Sequence, residues 1–320
     1  MKKLICLALA LVLCCTCFAA CGGASKAYPS EAIELVIPAS AGGGSDLMGR
    51  LLVQIIQDEK LCEQVITPVN KAGGGGSAGQ AYVNSKKDPN YTLFTINDAH
   101  TIASHVSNTR PEGGFTPICM VAQDQVLIVT AADSPYQTMD DAIAAIKANP
   151  KSLPVGSADQ LDKICVIDID ASYGVDFNNV YFDSAGESAT AIMGGHVEFG
   201  MFNPSECASL VEGGKLKALA AFSTERCAAP LNDVPTFTEL GHDDLVFAMS
   251  RGIMGPAGMS EEATKFWSDV FEKVCATDAW AKDYVESKGL TATFMGYEEY
   301  KAYYEANEKA LVEKAAALGE

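Results

Sequence analysis

Two glycine runs constrain the chain more than any other feature. Ala39-Ser40-Ala41-Gly42-Gly43-Gly44-Ser45-Asp46 follows the strand-like Ile33-Glu34-Leu35-Val36-Ile37 and precedes the helix-like Leu47–Leu52. Asn70-Lys71-Ala72-Gly73-Gly74-Gly75-Gly76-Ser77-Ala78-Gly79 follows Val65–Val69 and leads into a short helical pattern. Glycine permits sharp turns and close approach of a ligand to the backbone. A helix starting just beyond leaves unpaired N–H groups and a partial positive charge aimed at the turn. Two such turns in one sheet make an anion site that needs no Lys or Arg.

The N-terminus reads as an address. Lys2 and Lys3 precede an apolar run, Leu4–Leu13, and Phe18-Ala19-Ala20-Cys21 ends it in the pattern of a secretory signal. Cys21 after two alanines resembles a bacterial lipobox, which makes residues 1–20 a lipoprotein signal peptide, Cys21 the lipidated residue and 21–29 a tether. The apolar run is too short to span a bilayer as a folded helix. The expected location is extracytoplasmic, held to the membrane by the lipid.

The full chain of 320 residues carries a net charge of −18, and −20 once Lys2 and Lys3 leave. Nucleic acid is excluded as a partner, and general electrostatic steering of an anion with it. Five of eleven cysteines fall within residues 6–21. The others, Cys62, Cys119, Cys165, Cys207, Cys227 and Cys275, form no CxxC pair and suggest neither a zinc site nor a dense disulfide scaffold.

Strand-like and helix-like segments alternate from Ile33 onward, which implies parallel pairing through right-handed crossovers. The expected strands are 33–37, 64–69, 91–96, 126–130, 154–158, 179–182, 197–202 and 216–222. The chain length suits two domains. Residues 30–130 are expected as the first part of domain 1, 131–245 as domain 2, and 246–320 as a return to domain 1 with C-terminal helices. The hinge is placed near Val129-Thr130 and Leu245–Phe247. Ser260 with Glu261 and Glu262 marks a helix start. Phe266, Trp267, Val270, Phe271 and Val274 then recur at helical spacing and read as core.

These residues resemble the extracytoplasmic solute-binding proteins of tripartite tricarboxylate transporters, over Pro29 to about Ala317. The resemblance is carried by Ile33–Pro38 with Ala41–Asp46, by Val69-Asn70-Lys71 with Gly73–Gly76, and by Asp88–Leu93. It continues through Gly194-Gly195-His196-Val197-Glu198, Gly213–Ala220 and Asp233-Val234-Pro235-Thr236. It implies an α/β, two-domain, periplasmic-binding-protein-like (Venus flytrap) fold with mostly parallel sheets flanked by helices. It further implies capture of a small organic anion, usually a di- or tricarboxylate, delivery to integral-membrane permease subunits, no enzymatic activity, no cofactor and a monomeric state. By position it assigns ligand contacts to Ala41, Gly42, Gly43, Ser45 and Asp46, and to Gly74, Gly75, Gly76 and Ser77. From domain 2 it assigns the loop of Ser157 and Asp159, the turn of Ser184, Gly186 and Glu187, and Asn203. Many members carry Tyr-Lys-Gly where this chain has Phe182-Asp183-Ser184, so Asp159 and Asp183 add negative charge to the cleft. Arg251 is the remaining cation for a second acidic group, or else a hinge or interdomain ion pair.

Two other patterns overlap the second run. Gly74, Gly76 and Gly79 fit G-x-G-x-x-G with Asp98 about twenty residues on. Pro68 in the preceding strand and the export signal weigh against a dinucleotide fold. Gly75, Ser77 and Gly79 fit G-x-S-x-G, which gives the enzyme alternative: a secreted α/β serine hydrolase with Ser77 as nucleophile, Asp168 or Asp170, and His242. A carboxylate sensor without transport is the binding-class alternative. His100, His105 and His196 read as bordering or turn residues, and no convincing metal ligand set is evident.

Overall fold

The computed structural model describes residues 27–182 and 184–317. The signal-peptide and lipobox readings, including Cys21, residues 21–26 of the tether, and Asp183 lie outside the described residues. Residues 27–30 form no regular element. The folded unit begins at Glu31.

Two five-stranded sheets form two lobes. The first has the order β2-β1-β3-β10-β4, built from β1 (Ile33–Ile37), β2 (Ile66–Asn70), β3 (Thr92–Asn97), β4 (Thr116–Gln125) and β10 (Ala248–Gly255). The second has the order β7-β6-β8-β5-β9, built from β5 (Leu127–Ala131), β6 (Pro154–Ser157), β7 (Asn178–Tyr181), β8 (Phe199–Phe202) and β9 (Leu216–Ala221). The expected α/β fold of two sheets flanked by helices is the fold observed. Pairing is parallel for β1 with β2 and β3, and for β6 with β7 and β8. It is antiparallel wherever β10 or β5 enters. Each sheet is therefore mixed rather than mostly parallel, because a strand arriving from the other lobe has no crossover helix to bring it in at the same end.

The first passage between sheets lies at Val126, between β4 and β5, not at Val129-Thr130. Ile118 to Val129 is buried except at Gln123, which is partly exposed; the crossing follows the polar run Gln123-Asp124-Gln125, which the fold takes inside. The return runs through Phe247, whose N–H donates to the Phe222 carbonyl, directly into β10. β4 and the helix following β3 have no counterpart among the expected elements.

The helices begin where the sequence supplies caps. They are α1 (Gly44–Asp58), α2 (Ser77–Asn84), α3 (Asp98–Val106), α4 (Met139–Ala148), α5 (Gln160–Tyr173), α6 (Ala185–Met193), α7 (Pro204–Glu212), α8 (Glu261–Cys275) and α9 (Tyr297–Ala317). Thr138 and Asp141 form a capping box at α4. Asn97, Asp159, Ser184 and Ser260 accept N–H groups one turn into α3, α5, α6 and α8. Trp267, Val270, Phe271 and Val274 of α8 are buried, as their spacing predicts; each such side chain is worth about 1.5–3 kcal/mol of burial. Among the described residues no helix is long and apolar enough to cross a membrane.

Candidate binding cleft

A cavity of about 480 Å³ opens at the carboxyl ends of β1, β2 and β3. That end of a parallel sheet is where helix starts converge and ligands bind. Pro38, Ala39 and Ser40 come from the loop after β1, and Ala72 to Gly76 from the loop after β2. Asn97, Ala99 and His100 come from the end of β3 and the start of α3. The opposite wall is Asp159, after β6, and Tyr181, at the end of β7. The cavity is thus walled by the strand ends of both sheets.

The second glycine loop reaches this cavity through a backbone few residues could follow. Gly74, Gly75 and Gly76 all have positive φ, at 57°, 61° and 100°. A Cβ on Gly76 would lie 2.5 Å from His100 Cδ2. The Gly76 N–H is used by the Gly73 carbonyl and the Ser77 N–H by Gly74. Ser77 is buried beneath the loop.

The first loop is held by its own acid. Asp46 is buried, and its carboxylate accepts the Gly42 N–H at 2.8 Å, Arg50 Nε at 2.8 Å and Asn70 Nδ2 at 2.8 Å. Asn70 Nδ2 also donates to the Ala39 carbonyl, which ties the two glycine loops together. These donors, with the Arg50 charge, outweigh the cost of burial and hold the Asp46 carboxyl below its ordinary value. Asp46 and Gly42 are therefore committed to loop shape. Ala41, Gly42 and Gly43 stand exposed at the tip, and Ser45 is buried in the first turn of α1.

Other expected site residues are distributed differently. Ser157, at the end of β6, is fully buried with no partner on its Oγ among the described residues. Ser184, Gly186 and Glu187 line a separate open depression with Phe182, Thr190 and His196. Asn203 Nδ2 donates to the Gln125 carbonyl at the passage between sheets, and its N–H to Glu206 Oε2. Arg251 is buried against Asp124 and stands beneath the start of α1, its guanidinium 3.4 Å from where a Gly44 Cβ would be. Of its two expected roles, the structure realises an ion pair, within the first sheet.

Asn97, which the sequence reading did not single out, and His100, which it read as a bordering or turn residue, complete the cavity. His100 is only 6% exposed, and its Nδ1 has no hydrogen-bond partner among the described residues. Burial and the Arg251 charge push its pKa down to about 4, so the ring is neutral at pH 7. Asn97 and His100 sit at a third strand-to-helix junction. No glycine marks it, but its position after a strand parallel to β1 was the available signal. His242 is nowhere near a Ser77 dyad: its Nδ1 is 2.6 Å from Ser172 Oγ and its ring stacks on Tyr173 in the second lobe. No group of three or more metal-ligating side chains occurs among the described residues.

A family model described as tripartite tricarboxylate transporter family receptor matches residues 51–314. The chain belongs to this family. Among similar receptors, a Cupriavidus necator protein named for the gbd 5′ region is 28% identical over 294 residues, covering 90% of this chain and 88% of the relative. An R. palustris protein solved with adipate aligns over 90% of this chain and 98% of its own, with a TM-score of 0.79 and 19% identity. MatC from Rhodopseudomonas palustris, solved with malate, aligns over 90% and 100% with a TM-score of 0.76 and 18% identity. At those identities the structures establish a shared fold.

Proposed function

We propose that this receptor captures a small organic carboxylate in the cavity between its two lobes and delivers it to integral-membrane permease subunits. The observation that carries the reading is the convergence of two glycine loops and a third helix start on one cavity. Gly44 and Ser45, as the first two residues of α1, have N–H groups with no carbonyl one turn back to accept them. Gly74 and Gly75 expose their backbone in the cavity wall. Such donors hold an anion by dipoles alone. Asn97 and the neutral His100 add side-chain polarity, and the second lobe closes through Asp159 and Tyr181. Ser184, Gly186 and Glu187 join the contact only when the lobes close further, as hinged receptors do. The adipate and malate bound by structural relatives fit the same ligand class. The protein works as a monomer, without catalysis or cofactor, outside the cytoplasm and tethered through a lipid on Cys21.

The test is a thermal-shift panel of carboxylates and their amides on protein that has been unfolded and refolded to strip any ligand. A ligand at a hundred times its Kd adds about 2.7 kcal/mol, roughly several degrees for a chain of this size. A shift with one carboxylate, silent with its amide, is expected; no shift with any carboxylate overturns the reading. Uptake measured with and without the permease subunits checks delivery.

A further inference from the structure

The charge lining the cavity opposes the ligands best known from the fold. Among the described residues that form its wall, Asp159 is the only acidic side chain, no lysine or arginine joins it, and His100 is neutral. Burial raises the Asp159 carboxyl, while the Asp162 and Leu161 N–H groups and the Arg251 charge draw it back down. Behind it the balance is the same. Asp162 accepts the Ala158 N–H at 2.7 Å and feels the Asp159 charge. Asp124, Asp159 and Glu206 all lie within electrostatic reach of Arg251, the single buried cation there, and Asp124 already engages it. Lys163 stands 4.9 Å over the ring of Tyr181, which lines the cavity, and is not itself part of the wall.

A linear dicarboxylate with one end on the glycine loops would bring its other end toward the Asp159 wall. A second carboxylate there meets an acid and no cation, and like charge at close range disfavours ionisation of both. A ligand with an ammonium group at that end reverses the sign, and a zwitterion is not repelled by the chain's net charge of −18. The cavity is otherwise built for a polar guest, since Asn97 and His100 line it.

We infer that the ligand is an amino-carboxylate, its carboxylate on the glycine loops and its ammonium group facing Asp159. This rests on the carboxylate-capture reading above and narrows it. Asp159 is the residue that sets specificity. Its other role, accepting the Asp162 N–H at 3.0 Å as the cap of α5, is one that Asn performs equally well, so Asp159→Asn keeps the helix start and removes only the charge.

The experiment is calorimetric titration of ligand-stripped wild-type protein and Asp159→Asn with matched pairs. 4-Aminobutyrate is set against glutarate and 5-aminovalerate against adipate. The common L-amino acids are set against their 2-hydroxy counterparts. In wild type, at least one ammonium-bearing member is expected to bind tenfold or more tightly than its match, and Asp159→Asn is expected to abolish that ratio. A purely structural role of Asp159 would weaken both members of a pair alike, and that result overturns the assignment. Preference for the dicarboxylate or hydroxy acid in wild type overturns the inference and leaves carboxylate capture standing. Binding by neither member of any pair overturns both.

Discussion

Arg251 donates from both Nε and Nη2 to one oxygen of Asp124, Oδ2, and Asp124 Oδ1 is left without a partner among the described residues. Both side chains are almost fully removed from solvent. They join neighbouring strands β10 and β4, the two that carry the chain between the lobes. Removing one partner strands a buried charge, which costs about 3–5 kcal/mol, whereas replacing both by apolar groups is often near neutral. Arg251→Met alone is expected to fall in that range in urea denaturation, and Arg251→Met with Asp124→Leu to recover most of the loss. A single variant costing under about 1 kcal/mol would contradict a buried, uncompensated charge.

Asp98 gives the fold a pH dependence. It is fully buried, accepts from Ser250 N–H, Ser250 Oγ and Asn307 Nδ2, and burial raises its carboxyl to about 6 despite those donors. Near pH 3 both folded and unfolded chains hold the proton, and the group contributes nothing. Between about 4 and 6 the folded chain keeps the proton that the unfolded chain has lost, so stability falls as pH rises and the penalty is complete above 6. Asp98→Asn should therefore gain on wild type between pH 4 and 7, by up to ~3 kcal/mol. A difference in unfolding free energy that stays constant across that range would refute the assignment.

The glycine loops separate ligand space from scaffold. Gly43 has φ of −76°, and a Cβ there meets only the Ser40 carbonyl at 3.4 Å. Gly43→Val is expected to lose ligand binding at least tenfold while costing under about 1 kcal/mol of stability, in line with a surface change. Gly75 has φ of +61°, and its Cβ would lie 3.2 Å from Ala103 Cβ. Gly75→Val should lose binding and also about 1–2 kcal/mol of stability from the left-handed backbone. Unchanged affinity in both, measured by calorimetry, would move the site elsewhere.

Asp46 acts on the ligand through loop shape. Asp46→Ala removes the acceptor shared by Gly42, Arg50 and Asn70; Gly42 and Arg50 can turn to solvent, so the cost is that of the hydrogen bonds lost, about 1–3 kcal/mol in all. Affinity should drop with it, and Asp46→Asn should recover part of both losses. Hydrogen exchange at Gly42 is the direct readout: faster exchange in Asp46→Ala is expected, and an unchanged rate would show that the carboxylate does not hold the loop.

Part of the cavity lining was legible because it lies in the backbone, whereas Ala41, Gly42, Gly43, Ser45 and Asp46 of the first loop are not part of that lining. A glycine run between a strand and a helix announces donors whatever the fold around it, so Gly74, Gly75 and Gly76 could be named without coordinates. His100 was read as a bordering or turn residue, and Asn97 was not singled out, because Asn97-Asp98-Ala99 carries no glycine and a strand-to-helix junction capped by Asn looks like any other. The crossing at Val126 was placed late although Gln123-Asp124-Gln125 stands directly before it: those polar residues are taken into the fold, Asp124 by Arg251, and the apolar run that resumes at Val126 carries the reading on to Thr130. Arg251 illustrates the remaining gap. Its sequence position suggested either a ligand or an ion-pair role, and only the register that sets β10 beside β4 puts Asp124 within reach.

The sequence by itself determined the local elements: where helices start, which turns need glycine, which faces of α8 are apolar, and the order of the family's motifs. Those properties depend on neighbours within a few residues, through capping, φ and side-chain periodicity. Only the tertiary structure decided what stands opposite what. Asp159 faces the glycine loops because β6 ends at the same cleft as β1 and β2, and Asp46 is spent on Gly42 and Asn70 because β1 and β2 pair in register. Electrostatic and hydrogen-bond partners are set by distances between segments far apart in the chain, and those distances exist only once the sheets have formed.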